Sequence, residues 1–184
     1  MKIRTITVGI LAFAVSSLAN AQLIVTGSGD AFQCYLSAEN GDAGKSSSIR
    51  VCKKALSQGV LVGKDRASTH VNLGILLMRR GDHTQALEAF DKAIELSPAL
   101  SEAYINRGAC LIYLDRPNDA ITSLTTSIDL GTQYTPDALY NRALAYEQID
   151  DFKAAYDDLQ RARTLRPEWA VPLKTLERYQ VVTN

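Results

Sequence analysis

Three cysteines, two histidines and one glycine–lysine–serine triplet are the residues here whose chemistry would count for most if their spacing supported it. Gly44-Lys45-Ser46 has the ending of a phosphate-cradling loop, in which backbone N–H groups and a lysine surround the phosphates. That loop requires a glycine five residues before Gly44, where Glu39 stands, and a preceding apolar strand, which is missing. A polar turn accounts for the triplet better. His70 and His83 lie 13 residues apart, with no cysteine partner and no His-Glu-x-x-His spacing, so they suggest no metal site. No Gly-x-Ser-x-Gly elbow occurs, and the carboxylates are scattered along polar faces rather than set as an acid–base pair. The expectation is a non-enzyme without a cofactor.

The elements that would position any other function begin after a leader. Lys2 and Arg4 precede a mostly apolar stretch from Ile6 to Leu18, and Ala19-Asn20-Ala21 has the small-x-small pattern of a signal-peptidase site. A run of that length is short for a membrane span. Residues 1–21 are therefore expected to be a cleaved signal peptide, with 22–30 a flexible lead-in. The expected location is the periplasm of a Gram-negative bacterium, without stable membrane insertion after cleavage. Cleavage takes the basic residues from 20 to 18 against 20 acidic ones, a net charge of −2. A nearly neutral chain with interspersed charges gives no electrostatic case for nucleic acid.

Two short helices are expected over 31–40 and 47–58, joined by the polar loop 41–46, in an N-terminal hairpin spanning 31–66. Cys34 and Cys52 sit about equally far from Ala43 in that loop, and residues equidistant from the turn of an antiparallel hairpin face each other. In an oxidising compartment this predicts a Cys34–Cys52 disulfide, worth about 3 kcal/mol in the chain-entropy model; two buried thiols are the alternative. Cys110 reads as a small buried apolar residue.

The stretch Ala67–Leu100 organises the rest. Leu73, Gly74, Leu77, Ala86, Phe90, Ala93 and Pro98 follow the pattern of a two-helix unit that closes with a proline. Gly81 is placed to end the first helix, and Asp82 to cap the second with Gln85 in a variant capping box. A step of 34 residues takes Gly74, Ala86 and Phe90 to Gly108, Ala120 and Leu124, and a further 35 takes the last two to Ala155 and Leu159. On these residues the chain resembles the tetratricopeptide repeat family. The resemblance implies an all-α fold, a right-handed α-solenoid of helix–turn–helix repeats over 67–100, 101–135 and 136–169. The hairpin becomes a degenerate repeat ahead of them, and 170–184 a C-terminal capping helix.

In that family the first helix of each pair lines a concave groove that holds another protein or a peptide. The sixth position is asparagine in all three repeats, Asn72, Asn106 and Asn141, and a row of amide side chains can hydrogen-bond an extended peptide backbone. Local bonding within each helix is the alternative. The resemblance also places Val71, Ile75, Ile105, Ile112, Tyr113, Tyr140 and Leu144 on the groove, with an acidic edge at Glu102, Asp137 and Glu147. The set of lysine, asparagine and arginine with which some members clamp a C-terminal carboxylate is missing. The expected function is a protein-binding scaffold or adaptor, monomeric or weakly oligomeric. A structural subunit of an envelope assembly, working through its convex or end surfaces, is the alternative.

Overall fold

The computed structural model describes residues 2–5, 29–40, 45–59 and 61–182, with side chains from 29 to 179 within those ranges. The remainder of the expected leader and lead-in lies outside the described residues. Among the described residues, nine helices follow one another, the first eight as antiparallel pairs. These are α1 (Gly29–Glu39) with α2 (Ser46–Ser57), α3 (Gly63–Arg80) with α4 (His83–Leu96), α5 (Ser101–Tyr113) with α6 (Pro117–Leu130), and α7 (Thr135–Gln148) with α8 (Phe152–Leu165). A short unpaired helix, α9 (Ala170–Leu176), closes the stack. Each first helix also packs on the first helix of the next pair, which makes the right-handed all-α solenoid.

Each pair crosses at one close approach. A Cβ added to Gly74 would lie 2.4 Å from the Phe90 ring, and one added to Gly108 would lie 2.4 Å from Leu124 Cγ. In the third pair the same place holds Ala143 opposite Leu159, both fully buried. The degenerate pair crosses differently. Gln148 Nε2 donates to Ile112 O at 3.2 Å, and Arg79 Nη1 donates to Ala38 O at 2.6 Å, the same step between neighbouring units. That register puts Cys34 where the later units have Gly74 and Gly108. It is joined to Cys52 by a disulfide with a Cα–Cα distance of 4.9 Å. A covalent bond thus replaces the glycine–aromatic contact at this crossing.

Helix ends explain the hairpin turns. Gly81 takes φ 88°, and the N–H groups of Gly81 and Asp82 cap the carbonyls of Met78 and Leu77. The corresponding residues of the next two pairs are Asp115 and Asp150, at φ 55° and 59°. A left-handed aspartate carries a Cβ penalty that glycine avoids, so Asp115→Gly is expected to stabilise the chain by roughly 0.5–1 kcal/mol. Equilibrium urea unfolding checks it, and a loss of stability would refute the assignment of strain to this turn.

Two expectations are corrected. Asp82 makes no side-chain cap bond to α4; its carboxylate is held by Arg80 instead, Nε donating to Oδ2 at 2.5 Å. The capping helix expected over 170–184 stops at Leu176 and gives way to a strand, β2 (Tyr179–Val182). Arg178 and Tyr179 are drawn to a buried carboxylate on α7, and the valines beyond them favour extended backbone. This strand pairs antiparallel with β1 (Lys2–Thr5), Lys2 opposite Val182 and Thr5 opposite Tyr179. Four residues read as leader therefore have a place in the fold.

Candidate binding face

The helices α3, α5 and α7 carry the residues expected to line the groove, and the structure sorts them into three groups. Val71, Ile75, Ile105, Ile112 and Leu144 are all buried. Hydrophobic contact between neighbouring first helices therefore claims this apolar floor. Asn72, Asn106 and Asn141 are buried as well, each 1% exposed. Asn106 Nδ2 donates to Glu102 O, one turn back in its own helix, at 2.8 Å. That is the local bonding weighed as the alternative to a peptide ladder. One polar atom of each asparagine remains unpartnered: Asn72 Nδ2, Asn106 Oδ1 and Asn141 Nδ2. A buried amide in that state wants one more hydrogen bond.

Of the expected groove residues, the two tyrosines come nearest the surface. Tyr113 is 39% exposed and stacks on His83 at the start of α4, ring centroids 4.7 Å apart. Tyr140 is half-buried and meets the Trp169 ring edge-on at 5.2 Å. Burial raises the phenol pKa of both tyrosines, so both are neutral hydroxyls at physiological pH.

The third repeat differs from the others because its two inner-face acids are neutralised from within the chain. Arg166 donates to both oxygens of Asp137, at 3.1 and 2.6 Å, and its guanidinium lies over the Trp169 ring. Arg178 donates to both oxygens of Glu147, at 2.9 and 3.2 Å, and the Tyr179 hydroxyl donates to Glu147 Oε1 at 2.5 Å. Burial, then this bond to Glu147, raises the Tyr179 pKa. Sequence reasoning did not find Arg166, Trp169, Arg178 or Tyr179. Part of the signal was present: an inner-face acid that packing will bury needs a cation, although Arg142, Arg161 and Arg163 stand nearer in sequence than Arg166 and Arg178.

Arg107 and Arg142 hold the same position in successive repeats, and Arg107 binds Asp91 of the preceding repeat at 2.6 Å. Arg142 instead grips Asp158 of its own repeat and reaches Thr125 of the preceding one. His70 is pushed down to about 4, first by burial and then by the charges of Arg66 and Lys92, so its imidazole is neutral. Burial pushes the Cys110 thiol up to about 12, and its Sγ donates to His83 O at 3.1 Å. With Cys34 and Cys52 joined, alkylation before reduction should modify no thiol in the native protein and Cys110 alone after denaturation. Label on Cys34 or Cys52 at that stage, read by mass spectrometry, would refute the disulfide. Among the described residues, no group of three or more histidine, cysteine or acidic side chains could hold a metal ion, and no helix is long and apolar enough to cross a membrane.

Stacked two-helix units, a small residue at each crossing and an inner face of first helices define a helical-repeat solenoid. Residues 65–133 and 106–168 each match the tetratricopeptide repeat, together more than half of the chain. The chain belongs to the tetratricopeptide repeat family. It is 33% identical over 103 residues to protein unc-45 homolog B of Danio rerio, covering 53% of this chain and 11% of that protein. It is 31% identical over 100 residues to the mitochondrial import receptor subunit TOM70 of Homo sapiens, covering 52% and 16%. The likeness thus spans a small part of those longer proteins. Among solved structures, MamA superposes with TM-score 0.65 at 24% identity, over 78% of this chain and 80% of that one. YrrB, described as having an unusual peptide-binding site, gives 0.65 at 20% identity over 80% and 74%. The first repeat domain of Spaghetti (RPAP3), bound to the HSP90 peptide SRMEEVD, gives 0.60 at 19% identity over 65% and 94%. At these identities the likeness is one of fold.

Proposed function

We propose that this chain is a non-catalytic scaffold or adaptor that binds a peptide or partner helix along the inner face of its solenoid. The observation that carries this is the inner face itself: one exposed aromatic anchor, Tyr113, beside three repeated, buried asparagines that each keep an unpartnered polar atom. Two solved structures of the same fold support it, one bound to an HSP90 peptide and one described by its peptide-binding site. The ligand class differs from the acidic peptide SRMEEVD. Asp137 and Glu147 are already paired with Arg166 and Arg178, which leaves Glu102 as the inner-face acid that disfavours a carboxylate-rich segment. The apolar leader and the disulfide support export to the periplasm as the setting.

Crosslinking in the native cell, followed by capture, tests the site. Asn106→Ala combined with Tyr113→Ala should remove the crosslinked partners while thermal unfolding remains cooperative. Unchanged capture of every partner by that variant would count heavily against an inner-face site. A second reading, a structural subunit using other surfaces, has its own observation. Leu96, Leu130 and Leu165, at the same place in each repeat, are 38%, 40% and 52% exposed. A stable homo-oligomer on gel filtration that Leu130→Lys disrupts would favour it.

A further inference from the structure

The C-terminal segment meets the third repeat as a ligand would. Asp137, Tyr140 and Glu147 are three of its inner-face residues, and each is engaged from outside α7: by Arg166, by Trp169, and by the Arg178–Tyr179 pair. The two ends of this segment are held unequally. The first follows directly from α8. The second depends on α9, a helix of only seven residues, too short to persist without its docking contacts, and on the pairing of β2 with β1, which lies in the expected leader and is lost if that leader is cleaved. Arg178 is 31% exposed while Glu147 is 12% exposed, so solvent reaches the cation before the carboxylate. When Arg178 and Tyr179 lift away, Glu147 is left as a largely buried charge without a counter-ion, a strongly unfavourable state that a new cation relieves.

We propose that Arg178–Tyr179 is an exchangeable occupant of the inner face, and that the partner is a segment presenting an arginine beside an aromatic residue. This rests on the inner-face reading above and names its ligand class. One guanidinium nitrogen, Nη2, reaches both oxygens of Glu147 while Nε of the same group donates to Thr175 O at 3.4 Å, a spread of donors that a lysine ammonium does not have. The aromatic neighbour replaces Tyr179, which packs against Tyr156 with ring centroids 5.8 Å apart and donates to the same carboxylate. Repeats one and two have Met78 and Ile112 where Glu147 stands, so the arginine site belongs to the third repeat alone. A partner bound there displaces the end of the chain, so binding and release of the cap are one event.

The test uses the full chain carrying Arg178→Ala and Tyr179→Ala, and a fluorescent peptide with the sequence of Leu173–Val182. A second peptide carries citrulline for arginine, which keeps the shape and removes the charge. The vacated chain should bind the arginine peptide at least tenfold more tightly than the citrulline peptide, and more tightly than the unaltered chain does. Adding Glu147→Gln should erase the preference. Equal affinity for the two peptides, or binding of neither, overturns the proposal. If the double variant fails to unfold cooperatively, Arg178→Gln, which keeps Tyr179, is put through the same comparison. An apolar peptide whose binding is lost in Tyr113→Ala, with no arginine preference anywhere, would sink this inference and leave the inner-face reading standing. Arginine preference that survives Tyr113→Ala would support the inference independently of that anchor.

Discussion

Replacing Gly74 with alanine should destabilise the folded chain by roughly 3 kcal/mol, the upper end of the range for overpacking a core. The added methyl would sit 2.4 Å from Phe90 Cε1, 2.7 Å from Cζ and 2.8 Å from Cδ1. A rigid ring cannot fold away from it, and Phe90 is fully buried, so the two helices must separate. Gly108→Ala should cost less, about 1–2 kcal/mol, because the atoms it meets belong to Leu124, which can change rotamer. The third repeat shows that such a pair fits, since Ala143 faces Leu159 there with both buried. Adding Phe90→Leu to Gly74→Ala should therefore recover part of the loss. Urea unfolding midpoints at constant slope measure all three. A Gly74→Ala protein as stable as the parent would mean that this crossing is not where the helices are closest.

The same three crossings explain how much of the fold is legible in the residues. Small residue and large partner recur along the chain at fixed steps, so the two-helix repeat and its recurrence follow from the residue pattern alone, although α3 begins at Gly63, four residues before the expected boundary. The hairpin disulfide follows from the symmetry of a turn, although its equivalence to the Gly74–Phe90 crossing needs the hydrogen bonds of Arg79 and Gln148. The inner face is harder. Helical position places Asn72, Asn106 and Asn141 toward the groove, but burial depends on how closely neighbouring first helices approach, a distance that no local pattern encodes. Asp82 shows the same limit. Its spacing to Gln85 suits a cap, yet an arginine two residues earlier competes for the carboxylate and holds it. The C-terminal segment departs from its expected helix for a related reason. Its end is set by the carboxylates of Asp137 and Glu147, about 30 residues earlier in the chain.

Arg142 and Arg107 occupy the same place in successive repeats, and their removal should have very different consequences. Arg142 donates through Nε and Nη2 to the two oxygens of Asp158, at 2.7 and 2.8 Å, and through Nη1 to Thr125 Oγ1 at 2.8 Å. Its side chain is 14% exposed and that of Asp158 9%. Arg142→Ala strands a buried carboxylate and should cost about 3–5 kcal/mol. Asp158→Ala should cost less, because a long arginine side chain can turn its head toward water while its stem stays packed. Replacing both, Arg142→Met with Asp158→Leu, should return stability to within about 1 kcal/mol of the parent, since neither the charges nor their desolvation remain. Arg107→Ala removes a pair whose aspartate is 52% exposed and should cost under about 1 kcal/mol. A double-mutant cycle on Arg142 and Asp158 isolates their coupling. If Arg142→Ala proved as mild as Arg107→Ala, the cation between the second and third repeats would be a solvated surface charge, and the stacking of those repeats would rest on apolar contact alone.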